Sequence, residues 1–171
     1  MEKGVFTKKK CNFGIDVVAV RLVKETSLLS EHAVTTPREA VEVLGEYIRQ
    51  MDRECVAVIN LTASMVPICC SVVSIGALSQ SLVSVREVFK ASILANAHSI
   101  IMMHNHPSGR LNPSKADMDV TYRVSEAGKI LGIQLLDHII VGPSAGCFSF
   151  HDNGLIKHDK INAYVAQNGG V

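Results

Sequence analysis

Two histidines one residue apart, His104 and His106, are the side chains of this sequence best suited to chemistry. They end an apolar run, and in an extended segment the side chains at positions i and i+2 point to the same side. The two imidazoles can therefore converge on one point. Pro107, Gly109 and Pro113 then favour a turn, which can bring the following helix back over that point.

Asp117 lies in the first turn of that predicted helix, so its carboxylate can reach the two histidines. Two imidazoles and one carboxylate form a three-ligand site with the fourth position open, as catalytic zinc requires. Spacing alone leaves two other interpretations open. Histidine pairs also occur in polar turns, and Ser114 with Asp117 matches a capping box, which needs no metal.

The spacing His-x-His, seven residues, Ser114, two residues, Asp117 resembles the JAMM signature of the JAB/MPN metallohydrolase family. The segments "HNHPSG" and "PSKAD", with "REVFK" upstream and "LLDHIIVG" downstream, resemble the RadC branch of that family. The similarity extends from about residue 16 to about residue 150. It implies an α/β JAB/MPN fold like that of cytidine deaminases, with a mixed sheet flanked by helices. It also implies zinc held by His104, His106 and Asp117, with a water in the fourth position.

The resemblance implies catalytic roles for Glu54 and Ser114. Glu54, in "DRECVAVINL", matches the glutamate that this family uses upstream of its histidines. It would be the general base toward the zinc-bound water and then the proton donor to the leaving group. Ser114 matches the serine whose hydroxyl is expected to stabilise the oxyanion. The alternatives are a solvated residue at the start of a strand for Glu54 and a helix cap for Ser114.

Other polar residues near the motif receive weaker interpretations. Asp137 and His138 are adjacent in a predicted strand and therefore point to opposite faces, so neither has an assigned role. Asn105 points away from the two histidines and is interpreted as structural. Glu87 is explained by a predicted capping box with Ser84 rather than by chemistry.

The predicted elements that position these residues alternate between strands and helices. They are a strand over 15–23, a helix over 36–52, antiparallel strands over 54–61 and 66–73, a helix that starts at Ser84, a strand over 98–104, a helix over 113–132 and a strand over 133–142. Such interleaving implies a layered α/β domain with a mixed sheet, in which sites lie beyond the strand ends.

Composition limits the broad class of the protein. The 171 residues, 47% of them apolar, suggest a single domain over 15–171 behind a flexible tail, 1–14. Too few residues precede position 16 for the helix-hairpin-helix region that RadC-type proteins typically carry. The net charge of +1 gives no electrostatic case for nucleic acid as the main partner. Five cysteines without a CxxC pair indicate free thiols in a reducing cytoplasm, and no apolar run predicts a membrane span.

The sequence thus predicts a zinc-dependent hydrolase of the JAMM type, acting on a peptide, isopeptide or amide bond of an unidentified peptide or protein substrate. One alternative is a DNA repair-associated nuclease, in which the same site attacks a phosphodiester. Another is a non-catalytic scaffold module. The apolar content would also permit a homodimer.

Overall fold

The structure is a computed structural model that describes residues 19, 21–26, 28, 32–76, 83–144 and 146–156. The strands in this part of the chain are β1 (Cys55–Leu61), β2 (Pro67–Ile75), β3 (Ser99–Asn105), β4 (Gln134–Val141) and β5 (Cys147–Ser149). The helices are α1 (Pro37–Ala40), a π-helical segment (Val41–Gly45), α2 (Glu46–Arg49), α3 (Val85–Leu94) and α4 (Lys115–Leu131).

The strands form one mixed sheet in the order β2-β1-β3-β4-β5. β1 runs antiparallel to both β2 and β3, whereas β3 and β4 are parallel and are connected through α4. A parallel pair needs such a crossover, and the helix of the crossover packs on the sheet. The predicted α/β class, with a mixed sheet flanked by helices, is confirmed.

The two faces of the sheet pack against different helices. α3 and α4 contribute to the hydrophobic cluster on one face, and α1 and α2 contribute to the cluster on the other. Along β3, Ile100 and Met102 belong to the first cluster and Met103 to the second. Because side chains alternate along a strand, His104 faces α3 and α4, whereas Asn105 faces the α1–α2 side.

The helix caps agree with the sequence in two cases and differ in one. Thr36 and Glu39 form the predicted capping box, and α4 ends at Gly132 in a left-handed conformation with φ of 69°. The predicted capping box at Ser84 is wrong, because the Ser84 side chain makes no cap hydrogen bond. The Glu87 carboxylate pairs instead with the ammonium of Lys90, one turn along the same helix.

Two predictions about the N-terminal region have no structural counterpart. The predicted tail, 1–14, lies outside the described residues. Most of the predicted strand over 15–23 lies outside them as well, and its described positions, 19 and 21–23, belong to no helix or strand. Among the described helices, none combines the length and the apolar character that crossing a bilayer requires.

Candidate metal centre

The two histidines meet at the end of the central strand β3. His104 is fully buried and its Nε2 atom lies 3.0 Å from Nε2 of His106. The backbone N–H of His106 donates to the carbonyl of Val141 on β4, which extends the ladder by one residue beyond β3. The backbone then turns at Gly109, whose φ of 78° suits glycine. Both imidazoles therefore point to one place, as the His-x-His spacing predicts.

Asp117 joins the histidines from the first turn of α4. Its Oδ2 atom accepts a hydrogen bond of 2.6 Å from the backbone N–H of Ser114, and the Ser114 hydroxyl accepts from the N–H of Asp117. This capping box leaves Oδ1 buried, with no hydrogen-bond partner, 3.3 Å from Nε2 of His104. Asp117 can therefore be both a capping residue and a metal ligand, because Oδ2 accepts from Ser114 while Oδ1 faces His104.

The hydrogen-bond partner of His106 determines which of its ring nitrogens carries the proton. Nδ1 lies 2.5 Å from the carbonyl oxygen of Arg110, and a carbonyl can only accept. Nδ1 of His106 is therefore the donor. The lone pair of the neutral ring lies on Nε2, the atom that faces His104 and Asp117.

A chain of buried hydrogen bonds fixes the tautomer of His104 in the same way. The Thr121 hydroxyl donates to the carbonyl of Asp117, so its oxygen accepts from Nδ1 of His138 at 2.6 Å. Nε2 of His138 then carries a lone pair and accepts from Nδ1 of His104 at 2.7 Å. The lone pair of His104 is left on Nε2, opposite the lone pair of His106.

Three electron-pair donors therefore face one another inside the protein. Burial, together with the adjacent His106, lowers the pKa of His104 to about 4, although Asp117 opposes this effect. With both rings neutral in these tautomers, no hydrogen-bond donor lies between the three atoms, so their mutual repulsion favours a bound cation. Nε2 of His104 lies 3.0 Å from Nε2 of His106 and 3.3 Å from Oδ1 of Asp117, close to the roughly 3.3 Å between ligand atoms of a tetrahedral site with zinc-like bond lengths. Nε2 of His106 lies 3.6 Å from the other carboxylate oxygen, Oδ2.

This cluster of His104, His106 and Asp117 fits a metal ion by its donor set as well as by its distances. Imidazole nitrogens and a carboxylate oxygen suit zinc and other first-row transition metals. Among the described residues, these three side chains form the one group of potential metal ligands whose donor atoms lie within 4.8 Å of one another.

Glu54 precedes β1 and is half-buried. Val56 pairs with His104 across the sheet and packs on the face that carries the histidines. Glu54 lies two residues before Val56 and therefore on the same side of an extended chain. The backbone N–H of Gly76 donates to the carbonyl of Glu54 at 2.8 Å, which ties this residue to the end of β2. Its position is compatible with the predicted role of general base.

Asp137 and His138 face different surroundings, as alternation along a strand requires. The Asp137 carboxylate accepts from the Ser149 hydroxyl at 2.6 Å and from the backbone N–H of His151 at 2.9 Å, so it links β4 to β5. Burial raises the pKa of this carboxyl. His138 lies instead beside His104, with its ring stacked on Phe150 at 4.6 Å.

Sequence reasoning missed Thr121 altogether and left His138 without a role. Thr121 lies four residues after Asp117, so it is one helical turn further along the same face of α4. That spacing was a usable signal for Thr121. The contact of His138 with His104 depends on the register of β3 against β4, which includes a bulge between Ile100 and Ile101.

Comparison with known proteins agrees with this geometry. The family described as RadC-like JAB domain matches residues 34–155, a range that includes every candidate residue. A UPF0758 protein of Rubrobacter xylanophilus is 40% identical over 157 residues, which cover 90% of this chain and 67% of that protein. A UPF0758 protein of Caldanaerobacter subterraneus is 46% identical over 114 residues, covering 67% of this chain and 49% of its own length.

A third relative, a UPF0758 protein of Desulfitobacterium hafniense, is 37% identical over 140 residues, which cover 82% of this chain and 62% of the relative. The chain therefore spans about half to two thirds of the length of these curated relatives.

Proposed function

The chain belongs to the family of RadC-like JAB domains, and on that premise we propose that it is a zinc-dependent hydrolase of peptide, isopeptide or amide bonds. The observation that carries the proposal is a buried contact: the Nε2 lone pairs of two imidazoles face each other and a carboxylate oxygen that has no hydrogen-bond partner. His104 and His106 would hold the metal through Nε2, and Asp117 would hold it through Oδ1. Zinc bound there supplies a Lewis acid and lowers the pKa of a coordinated water.

Glu54 moves the proton in this proposal. Its carboxylate takes a proton from the attacking water, whose oxygen forms a bond to the carbonyl carbon of the substrate. When the carbon–nitrogen bond breaks, Glu54 returns that proton to the leaving nitrogen. The products are a carboxylic acid and an amine; the second proton of the water then passes from the acid to the amine, which leaves a carboxylate and an ammonium, and Glu54 is restored to its starting form.

Ser114 stabilises the negative charge that develops on the carbonyl oxygen of the substrate. Its hydroxyl oxygen already accepts from the backbone N–H of Asp117, so its own proton is available for donation. A donor held in place before the reaction needs little reorganisation as the charge develops. In this proposal Ser114 therefore serves both as the cap of α4 and as an oxyanion donor.

The two alternative functions have less support. A scaffold module gains nothing from burying mutually repelling donors, which destabilise the protein unless a cation binds. A nuclease would benefit from a basic surface, and the net charge of +1 supplies no strong one. Binding to duplex DNA that weakens steeply as salt is raised would favour the nuclease over the amide hydrolase.

The test compares Glu54→Gln with the unchanged protein, both loaded with zinc, on a library of fluorogenic peptide and amide substrates. Glutamine keeps the size of the side chain but cannot take up a proton. We expect Glu54→Gln to keep its zinc and to lose at least about a hundredfold in kcat, the lower end for general-base catalysis. Full activity of the variant would contradict the proposed mechanism.

A further inference from the structure

Asn105, the residue between the two histidines, contacts the segment that carries Glu54. It is the last residue of β3, only 2% exposed, and its side chain lies on the opposite face of the sheet from the imidazoles. Across the sheet from it is the start of β1. One residue therefore separates two ligands of the candidate metal centre while it binds the backbone next to the candidate base.

Three hydrogen bonds connect the Asn105 amide to this segment. Its Oδ1 accepts from the backbone N–H of Cys55 at 2.7 Å. Its Nδ2 donates to the carbonyls of Arg53 at 3.0 Å and Met51 at 3.3 Å. These bonds lie on both sides of Glu54 and use the full donor capacity of the amide nitrogen. An aspartate of the same shape could accept from Cys55 but could not donate to the two carbonyls.

The backbone ladder between β1 and β3 extends only to the pair of Val56 and His104. Beyond that pair, the Asn105 side chain takes the place of ladder hydrogen bonds and holds the residues next to Glu54 to the strand that bears the histidines. The carbonyl of Glu54 is held separately by the backbone N–H of Gly76. The backbone of Glu54 is thus constrained on both sides, and the Asn105 side chain connects the residues next to it to β3.

We propose that Asn105 is a positioning residue that sets the place of the Glu54 carboxylate relative to the candidate metal centre. The assignment rests on the proposed function, because it takes Glu54 as the base. Asn105 acts through the backbone of residues 51–55 and touches neither metal nor substrate. Its loss therefore displaces the base without removing a ligand.

The experiment uses the protein loaded with Co²⁺, whose visible spectrum reports deprotonation of the water on the metal. The spectral midpoint in pH is measured for the unchanged protein, Glu54→Gln, Asn105→Ala, Asn105→Asp and the double variant Glu54→Gln/Asn105→Ala. We expect Glu54→Gln to shift the midpoint and Asn105→Ala to produce most of that shift. The double variant should match Glu54→Gln, because the two changes act through one carboxylate. Co²⁺ content should stay near one per chain in all of them.

Asn60→Ala is the matched control. Asn60 is also a buried asparagine, on β1, and its Nδ2 contacts the carbonyl and Sγ of Cys69 at 3.4 Å each. It pairs with Ile100 at the far end of the strand from the histidines. Its loss destabilises the protein but should leave the midpoint unchanged, which separates positioning from a general loss of stability.

Three outcomes would overturn the assignment. If Glu54→Gln shifts the midpoint and neither Asn105 variant does, Asn105 does not position the base, and the proposed function stands. Independent, additive shifts in the double variant would also overturn it. If Glu54→Gln itself has no effect, the proposed role of Glu54 is wrong, and that of Asn105 falls with it. Should Asn105→Ala not fold, Asn105→Asp decides, because it keeps the shape and the acceptor for Cys55.

Discussion

Nε2 of His138 lies 2.7 Å from Nδ1 of His104, and this contact couples the candidate metal ligand to an imidazole 34 residues further along the chain. His138 pairs with Met102 on β3 and is therefore a diagonal neighbour of His104 on the same face of the sheet. Its own Nδ1 donates to Thr121, and its ring stacks on Phe150. A partner held this firmly fixes both the orientation and the tautomer of a ligating histidine.

Thr121→Val should weaken metal binding without removing a ligand. Valine keeps the shape but cannot accept from Nδ1 of His138, so the tautomer of His104 is no longer imposed. Loss of such an outer partner typically lowers metal affinity by about 10–100-fold. Competition with a chromophoric chelator measures the change.

Ser92→Ala is the control for Thr121→Val. The Ser92 hydroxyl is also buried and also donates to the carbonyl four residues earlier, that of Val88, but on α3. It should leave metal affinity unchanged. Equal affinities for Thr121→Val and the unchanged protein would show that the hydrogen-bond chain does not act on the ligand.

The metal-free protein should lose stability as the pH falls. Burial lowers the pKa of His104 to about 4 and that of His138 well below its usual value. Between about pH 6.5 and pH 4 the unfolded chain binds protons that the folded chain does not. The free energy of unfolding therefore decreases as the pH is lowered through this window. The stabilisation is complete above about pH 6.5, and each histidine contributes a slope approaching about 1.4 kcal/mol per pH unit.

Urea unfolding of the metal-free protein at pH 7, 6 and 5 measures this dependence. His98→Gln, at an exposed histidine just before β3, serves as the control and should show the same loss. A free energy of unfolding that is constant over these pH values would contradict the burial of His104 and His138 as neutral imidazoles.

Ser114→Gly separates the two roles of Ser114. Glycine at the N-cap costs only about a few tenths of a kcal/mol, so α4 and its Asp117 ligand should keep most of their stability. The hydroxyl that would donate to the oxyanion is lost, and removing one such donor typically lowers kcat by about 10²–10³-fold. This expectation is tested by steady-state kinetics on whichever substrate of the fluorogenic library the unchanged protein hydrolyses. An unchanged kcat would mean that Ser114 is only a helix cap.

Gly128→Ala should destabilise the protein although alanine favours helices. A Cβ atom at Gly128 would lie 2.5 Å from the carbonyl oxygen of Ile133, where the chain enters β4. Such overpacking costs about 1–3 kcal/mol, more than the roughly 1 kcal/mol that alanine contributes to helix stability. Chemical denaturation measures the difference. Gly132→Asn is the comparison, because a Cβ atom there meets open space and asparagine tolerates the positive φ. It should lower the free energy of unfolding less than Gly128→Ala does. The reverse order would contradict the close packing of α4 on β4.

Local patterns in the sequence predicted β1 to β4, the helices and the three clustered side chains. The hairpin of β1 and β2, the start of α1 at Thr36 and the end of α4 at Gly132 each depend on neighbouring residues, so they could be predicted. The cluster could be predicted because His104 and His106 share one face of a strand and a short loop returns Asp117 to them.

Features that depend on distant residues could not be predicted. The contact between His104 and His138 depends on parallel pairing with a bulge in its register. The short strand β5 has only three residues, too few for a periodic pattern. The capping box expected at Ser84 does not form: the backbone N–H of Glu87 donates to the Ser84 carbonyl, and the Glu87 carboxylate pairs with Lys90, a residue outside the motif.

The metal content of the purified, zinc-reconstituted protein tests the central claim most directly. Elemental analysis should find about one zinc per chain, and His106→Ala should lose it, because two remaining ligands hold zinc poorly. His98→Ala, at a histidine outside the cluster, should keep it. Absence of bound metal from the unchanged protein after reconstitution, or retention of a full equivalent by His106→Ala, would contradict a metal centre at His104, His106 and Asp117.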